Sequence, residues 1–254
     1  MIVIHDNKRQ EKYIFRCPKC KTSQSVRKGS FFKESRLSIP EILYVTFCWA
    51  AEIPVRSASA VTGVCERSIS QWYIFLREKC SGALICSQNY MFGGPGVVVQ
   101  IDESVELKRK YDAGCNVDQQ WICGIYDTTT KLGHIQLVND RSAQTLIPII
   151  QQLVRPGTTI FSYQSTSAYA HLGDLGYNHI TVNRSQSFVD PTTGISTNAI
   201  EAYWSRVKRS IRLHKLSDSD QLALRIDEFL WRDRLLSKKY IDAFREMLRL
   251  IANN

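Results

Sequence analysis

The chain has 254 residues, 44% apolar and 22% charged, which is enough to bury a core and argues against disorder as the default reading. No apolar run approaches the length of a membrane span, and no leader-like segment precedes the first charges, so an intracellular soluble protein is expected, nuclear in a eukaryote and cytoplasmic otherwise. The formal net charge of +9 is uneven: residues 1–90 carry 14 Lys/Arg against 7 Asp/Glu, residues 91–195 carry 7 against 9, and residues 196–254 carry 12 against 8.

A near-neutral middle between basic ends suits a polyanionic partner; the plain alternative is a basic protein that merely resists aggregation. Residues 1–36 are polar and basic, with one strand-like stretch at Tyr13–Phe15 before Cys17-Pro18-Lys19-Cys20. Ser38-Ile39-Pro40 reads as a helix start for the apolar run Ile39–Ala51. Val55–Val61 and Glu66–Leu76 are short helical patterns with Gly63 in the break, the outline of a helix-turn-helix. Gly93-Gly94-Pro95-Gly96 reads as a linker.

Beyond that linker, Val97–Ile101 is a β-branched run ending at Asp102-Glu103, and Trp121–Tyr126 and His134–Val138 are further strands. Leu146, Ile149, Ile150 and Leu153 recur at helical spacing within Ser142–Val154. Thr158–Ser162 and Ile180–Val182 are strands, and helices are expected at 198–213, 218–234 and 239–251. The order β, β, β, α, β, α, β, α fits an α/β fold, a mixed sheet with flanking helices.

Asp102 stands where a strand ends, a frequent place for a functional carboxylate and a hard-oxygen ligand for a divalent cation. A turn cap is the competing reading. Glu103 points to the opposite face if the strand continues. At 100° per residue, Ile200, Trp204, Val207 and Ile211 form an apolar stripe. Glu201, Lys208, Arg212 and Lys215 form a second stripe, a carboxylate followed by three cations. That arrangement suits a metal site beside a phosphate track. It equally suits an Asn198 N-cap with Glu201 in a capping box and a solvated basic face. Arg67, Ser68, Ser70 and Gln71 open the last helix of the helix-turn-helix and are types that contact phosphates and base edges. A plain helical hairpin is the alternative.

The pieces VVVQIDES, KRKYDAG, WICGIYD, GHIQLVNDRSAQTLIPII, RPGTTIFS, AYAHLGDLGYNHITVN, FVDPTTG and TNAIEAYWSRVK, in this order, resemble the ISXO2-like (IS1595-type) transposases, the group that includes the Merlin elements. RCPKC, VRKGSFFKESRLS and RSISQWYIFLREKC resemble that group's N-terminal region.

The resemblance implies a ribonuclease-H-like core at 97–215, a zinc-ribbon-like segment at 1–36, a helical DNA-binding region at 37–90 and C-terminal helices at 216–254. It implies a DDE triad on Mg²⁺ or Mn²⁺ that cuts and transfers double-stranded DNA at terminal inverted repeats, with no membrane role and with a homodimer as an admissible assembly. Asp102 and Glu201 take two triad positions and act as the metal ligands. Lys208, Arg212 and Lys215 would hold the backbone, and Arg67 and Gln71 the DNA beside the helix-turn-helix. The second Asp is missing: counting from the left puts Tyr163 in its place, and counting back from Ala168-Tyr169 puts Gln164 there.

Neither residue brings a negative charge at neutral pH, so weak metal occupancy and impaired cleavage are expected. Asp140 is a candidate substitute. Arg184, Ser196 and the Ala113–Cys115 stretch depart from the pattern too, as in a decayed or repurposed copy. A non-catalytic DNA-binding protein of the same descent is the alternative function, and an RNA-processing nuclease of the same fold is a third. Cys17 and Cys20 make half of a zinc ribbon with only His5 as an upstream ligand of suitable type; a Zn²⁺ remnant and a pair of free thiols are the two readings.

Overall fold

The computed structural model describes residues 1–7, 11–33, 35–86, 90–106, 120–163, 167–182, 196–212, 219–235 and 239–252. Gln164, Arg184, Lys215 and the Ala113–Cys115 stretch lie outside them, as does the side chain of Arg212. The chain forms two compact units: Met1–Ala83 with Leu235–Asn254, and Leu84–Arg234.

The first unit starts with strands β1 (Ile2–His5), β2 (Tyr13–Arg16) and β3 (Ser23–Ser25) in one antiparallel sheet. The sequence pattern predicts only β2: β3 is short and polar, and β1, Ile2-Val3-Ile4-His5, is apolar but only four residues long. Helices α1 (Ile39–Ala50), α2 (Val55–Thr62) and α3 (Glu66–Cys86) follow. Ser38 and Glu41 close a capping box on α1, with Pro40 in its first turn. Gly63 ends α2 at φ 74°, a left-handed cap that glycine adopts without steric cost. α3 runs ten residues past the expected end at Leu76.

The second unit holds a five-stranded mixed sheet. Its strands are β4 (Val98–Glu106), β5 (Gln120–Asp127), β6 (Gly133–Val138), β7 (Thr159–Tyr163) and β8 (Asn178–Val182), in the order β6-β5-β4-β7-β8. The first three pair antiparallel; β7 and β8 add parallel to β4. Helix α4 (Ala143–Leu153) connects β6 to β7. The helix expected between β7 and β8 is instead two short 3₁₀ turns, Ser167–Tyr169 and Gly173–Leu175. Glycines at 173 and 176 leave too few consecutive helix formers for an α-helix there.

One sheet face packs Val99, Ile101, Cys123 and Ile125 against Leu146 and Ile150 of α4. The other packs Ile122 and Ile135 against α5 (Asn198–Arg212) and α6 (Ser219–Arg234). The stripe Ile200, Trp204, Val207 and Ile211 is buried as its spacing requires. The C-terminal helices expected as one pair are divided. Leu222, Ile226 and Leu230 put α6 in the sheet core. The last helix, α7 (Tyr240–Ala252), packs on α1 in the first unit, with Phe47 and Phe244 edge to face at 5.6 Å.

The glycine-rich stretch at 93–96 is no loose linker. Gly93 N–H donates to Asp127 (3.0 Å), Gly94 N–H to Thr158 Oγ1 (2.8 Å), and Arg155 donates to the Gly93 carbonyl (3.1 Å). The division between the units falls within α3 instead. No described helix is long and apolar enough to cross a membrane.

Candidate active site

β4 runs four residues past Asp102, longer than the sequence pattern suggests, because its pairing with β5 continues to Glu106–Gln120. On its other side the ladder with β7 ends at Gln100–Phe161. Asp102 therefore lies where β7 stops pairing and the sheet edge opens. Tyr163 stands two residues beyond Phe161, as Asp102 stands two beyond Gln100, so the parallel register puts both level and on one face.

That face is the α5 face, and Gln100 fixes it. Its side-chain amide donates to the Ser196 carbonyl (2.7 Å) and accepts from the Ile200 N–H (2.8 Å), clamping the start of α5. Sequence reasoning misses this residue. The available signal is a polar side chain inside Val97-Val98-Val99-Gln100-Ile101, since a glutamine only 4% exposed in such a run needs partners.

Gly124 pairs with Asp102 across β4–β5. A methyl group on it would meet the Trp204 ring at 2.6 Å, so glycine there admits the indole. Trp204 then donates its N–H to Asp102 (3.0 Å). The sequence pattern assigns Trp204 to core packing alone; it packs and also holds the carboxylate.

Glu201 precedes Trp204 by three residues, about 4.5 Å along the helix. Its N–H donates to the Thr197 carbonyl (3.3 Å), so Asn198 is inside the helix and Glu201 lies past the capping-box position. The Glu201 carboxylate accepts the Tyr163 hydroxyl. Burial, then that hydrogen bond, push the Tyr163 phenol up to about 12, and the charges of Glu201 and Asp102 add to the shift. Asp102, Tyr163 and Glu201 thus converge on one patch, two carboxylates and a neutral phenol.

Glu103 faces the other way, where its carboxylate accepts the hydroxyl of the buried Tyr169. Desolvation, with the charges of Glu103 and Asp102, drives the buried Cys123 thiol far above its ordinary range. Ser162 and His179 share a 2.8 Å hydrogen bond on that side, and burial lowers the imidazole.

Asp140 is no substitute ligand. Its carboxylate caps α4, accepting from Ser142 N–H and Thr145 Oγ1, both at 2.8 Å, and it follows β6, two strands from β4. Those hydrogen bonds, Ser142 first, hold it below the usual carboxylate range. Lys208 is half-buried on α5. Arg206 pairs with the buried Asp233 (2.7 Å) and lies over the Tyr203 ring.

In the first unit, Cys17 and Cys20 sit on the turn between β2 and β3, where Lys21 N–H donates to the Cys17 carbonyl (3.1 Å). Hydrogen bonds from Thr22, then Cys17, lower the Cys20 thiol to about 7. His5 pairs with Tyr13, and Arg16, beside Cys17, pairs with Ile2. That places His5 at the far end of the sheet, about 10 Å off. His5 is therefore no partner for these thiols. No group of three or more His, Cys, Asp or Glu suited to a metal ion occurs among the described residues.

Several solved structures are similar at low identity. The catalytic core domain of HTLV-2 integrase in complex with magnesium matches at 14% identity and a TM-score of 0.38, over 56% of this chain and 88% of that one. The simian T-cell lymphotropic virus intasome in complex with a PP2A regulatory subunit matches at 15% and 0.40, over 76% and 69%. The BIV integrase catalytic core matches at 14% and 0.33, over 51% and 80%. A comparison with curated proteins finds no match. The model of the ISXO2-like transposase domain matches residues 90–233, more than half of the sequence and nearly all of the second unit, so the chain belongs to the ISXO2-like transposase domain family.

Proposed function

We propose that this chain is a transposase-derived DNA-binding protein whose strand cleavage is impaired because Tyr163 stands where a third carboxylate is required. The carrying observation is the hydrogen bond from Tyr163 to Glu201, level with Asp102.

Phosphodiester cleavage by a metal pair needs two divalent ions about 3.5–4 Å apart. Four positive charges so close demand more than two carboxylates. Asp102 and Glu201 supply two negative charges, and a phenol ionising near 12 supplies none at neutral pH. The donors fit one divalent cation, held by Asp102 and Glu201, and do not fit a pair. A cation held there would act as a Lewis acid on a phosphoryl oxygen. Trp204 orients Asp102 toward the patch, and Tyr163 competes for Glu201. Lys208 on α5 would track the DNA backbone; the sequence assigns Arg212 and Lys215 the same role.

Duplex DNA carrying terminal inverted repeats is the substrate this reading assigns. Cleavage of labelled repeat-end duplex with Mg²⁺ or Mn²⁺ tests it. Little cutting is expected from the natural chain, with restoration by Tyr163→Asp. Full activity in the natural chain overturns the impairment. A folded Tyr163→Asp protein that binds the duplex and does not cut favours the non-catalytic DNA-binding reading, in which more than one ligand has been lost.

A further inference from the structure

In the first unit, Phe31 and residues 35–37 lie beside the start of α3 and leave a groove of about 740 Å³. Arg67 and Gln71, expected to meet duplex DNA from a recognition helix, form one wall; Arg36 belongs to the other. Phe31, Trp72 and Phe75 line the space between. Phe31 meets Trp72 edge to face at 5.5 Å, and Trp72 meets Phe75 in the same way at 6.0 Å. These rings do not stack on one another, and Phe75 is 36% exposed.

The outer wall is built rather than draped. Arg27, 6% exposed, donates to the carbonyls of Ser35 (2.7 Å) and Leu37 and pairs with Glu11, which also accepts the Ile39 N–H (3.0 Å). No acidic side chain lines the groove among the described residues. The surrounding stretch, residues 1–90, carries twice as many basic as acidic residues.

A recognition helix reads duplex DNA by offering its first turns as a free convex ridge to the major groove. Here the first turn of α3 faces a second wall, and the rings lie within the cleft. Stacked, paired bases expose edges, not faces, so a duplex cannot use these rings. An unpaired base can: it stacks on aromatic side chains while arginines hold its phosphates. The volume falls within the range of sites for small organic ligands, about 300–1,000 Å³.

We propose that this groove binds an unpaired nucleotide of single-stranded DNA, with Phe75 stacking the base, the buried Trp72 supporting Phe75 from behind, and Arg67 and Arg36 holding its phosphates. The choice of DNA rests on the transposase reading; the preference for an unpaired base rests on the groove alone. The test is fluorescence anisotropy of the full chain with a labelled oligothymidylate, the matching duplex and oligouridylate. Expected is tighter binding of oligothymidylate than of either competitor. Phe75→Ala should weaken it by about five- to a hundredfold, Arg67→Glu should weaken it with a flatter salt dependence, and Phe75→Trp should retain it.

Preference for the duplex, or indifference to Phe75→Ala and Arg67→Glu, overturns the proposal, and preference for RNA overturns its choice of DNA. Should Phe75→Ala not fold, the other two variants decide: binding kept by Phe75→Trp and weakened by Arg67→Glu supports the groove, and any other pattern overturns it. Cleavage by Tyr163→Asp is a separate readout, so the catalytic reading and this one can fail independently.

Discussion

Tyr163 donates its hydroxyl hydrogen bond to Glu201 from the strand position level with Asp102. On the proposed reading, a position that calls for charge instead consumes part of a neighbour's acceptor capacity.

The first consequence is a pH dependence. The folded-state phenol is raised to about 12 from an ordinary 10, with burial the largest cause. A raised value means that the neutral form is preferred in the fold. The stability it contributes is complete below pH 10 and lost as pH rises through 12. Chemical denaturation across that window should show the loss in the natural chain and less of it in Tyr163→Phe. Buried Tyr169 and Tyr203 are raised as well, so ultraviolet titration should show one fewer late-ionising phenol in Tyr163→Phe than in the natural chain.

The mirror case is His134 on β6. Burial, then repulsion by Arg234, lower its imidazole to about 4, against a hydrogen bond with Gln136 that raises it. A depressed value means that the neutral ring is preferred. Its contribution is present above the ordinary 6.5 and disappears as pH falls toward 4. The urea midpoint should drop over that interval, and His134→Leu should remove that part of the acid sensitivity.

Gly124 and Trp204 make a steric prediction. Gly124→Ala forces a Cβ to 2.6 Å from the indole, so the ring or the strand must shift. A loss of about 1–3 kcal/mol in denaturant stability is expected. Trp204→Phe removes the N–H from Asp102 and puts a smaller ring in a buried site. It should cost at least about 1.5–3 kcal/mol, the range for a hydrogen bond to a charged group, with the void adding to it.

Arg27 tests the first unit. Its ion pair with Glu11 is almost entirely inaccessible, with side chains 7% and 11% exposed. Arg27→Ala strands a buried carboxylate and should cost about 3–5 kcal/mol by thermal or urea unfolding. Adding Glu11→Gln should recover part of that loss.

Much of the sheet unit is legible in the sequence because its elements carry period. Val97–Ile101 is a β-branched run that reads as a strand, and Ile200, Trp204, Val207 and Ile211 repeat into a buried helix face. The signal fails where a residue serves two roles. Trp204 reads as core because its ring is core, and its N–H is invisible to a hydropathy pattern. Gln100 reads as an interruption because its partners, Ser196 and Ile200, lie about a hundred residues away. β3 leaves no trace because a short polar strand depends on tertiary pairing, and β1, though apolar, is too short a run to declare itself. The two destinations of α6 and α7 depend on which apolar face each finds, information that no local window contains.

The most direct measurement is Mn²⁺ binding by titration calorimetry to the natural chain and to Tyr163→Asp. An undercharged patch predicts weak binding of at most one ion in the natural chain, and a clear gain in affinity or stoichiometry when Asp replaces Tyr163. Tight binding of two ions by the natural chain, unchanged by the substitution, would contradict it.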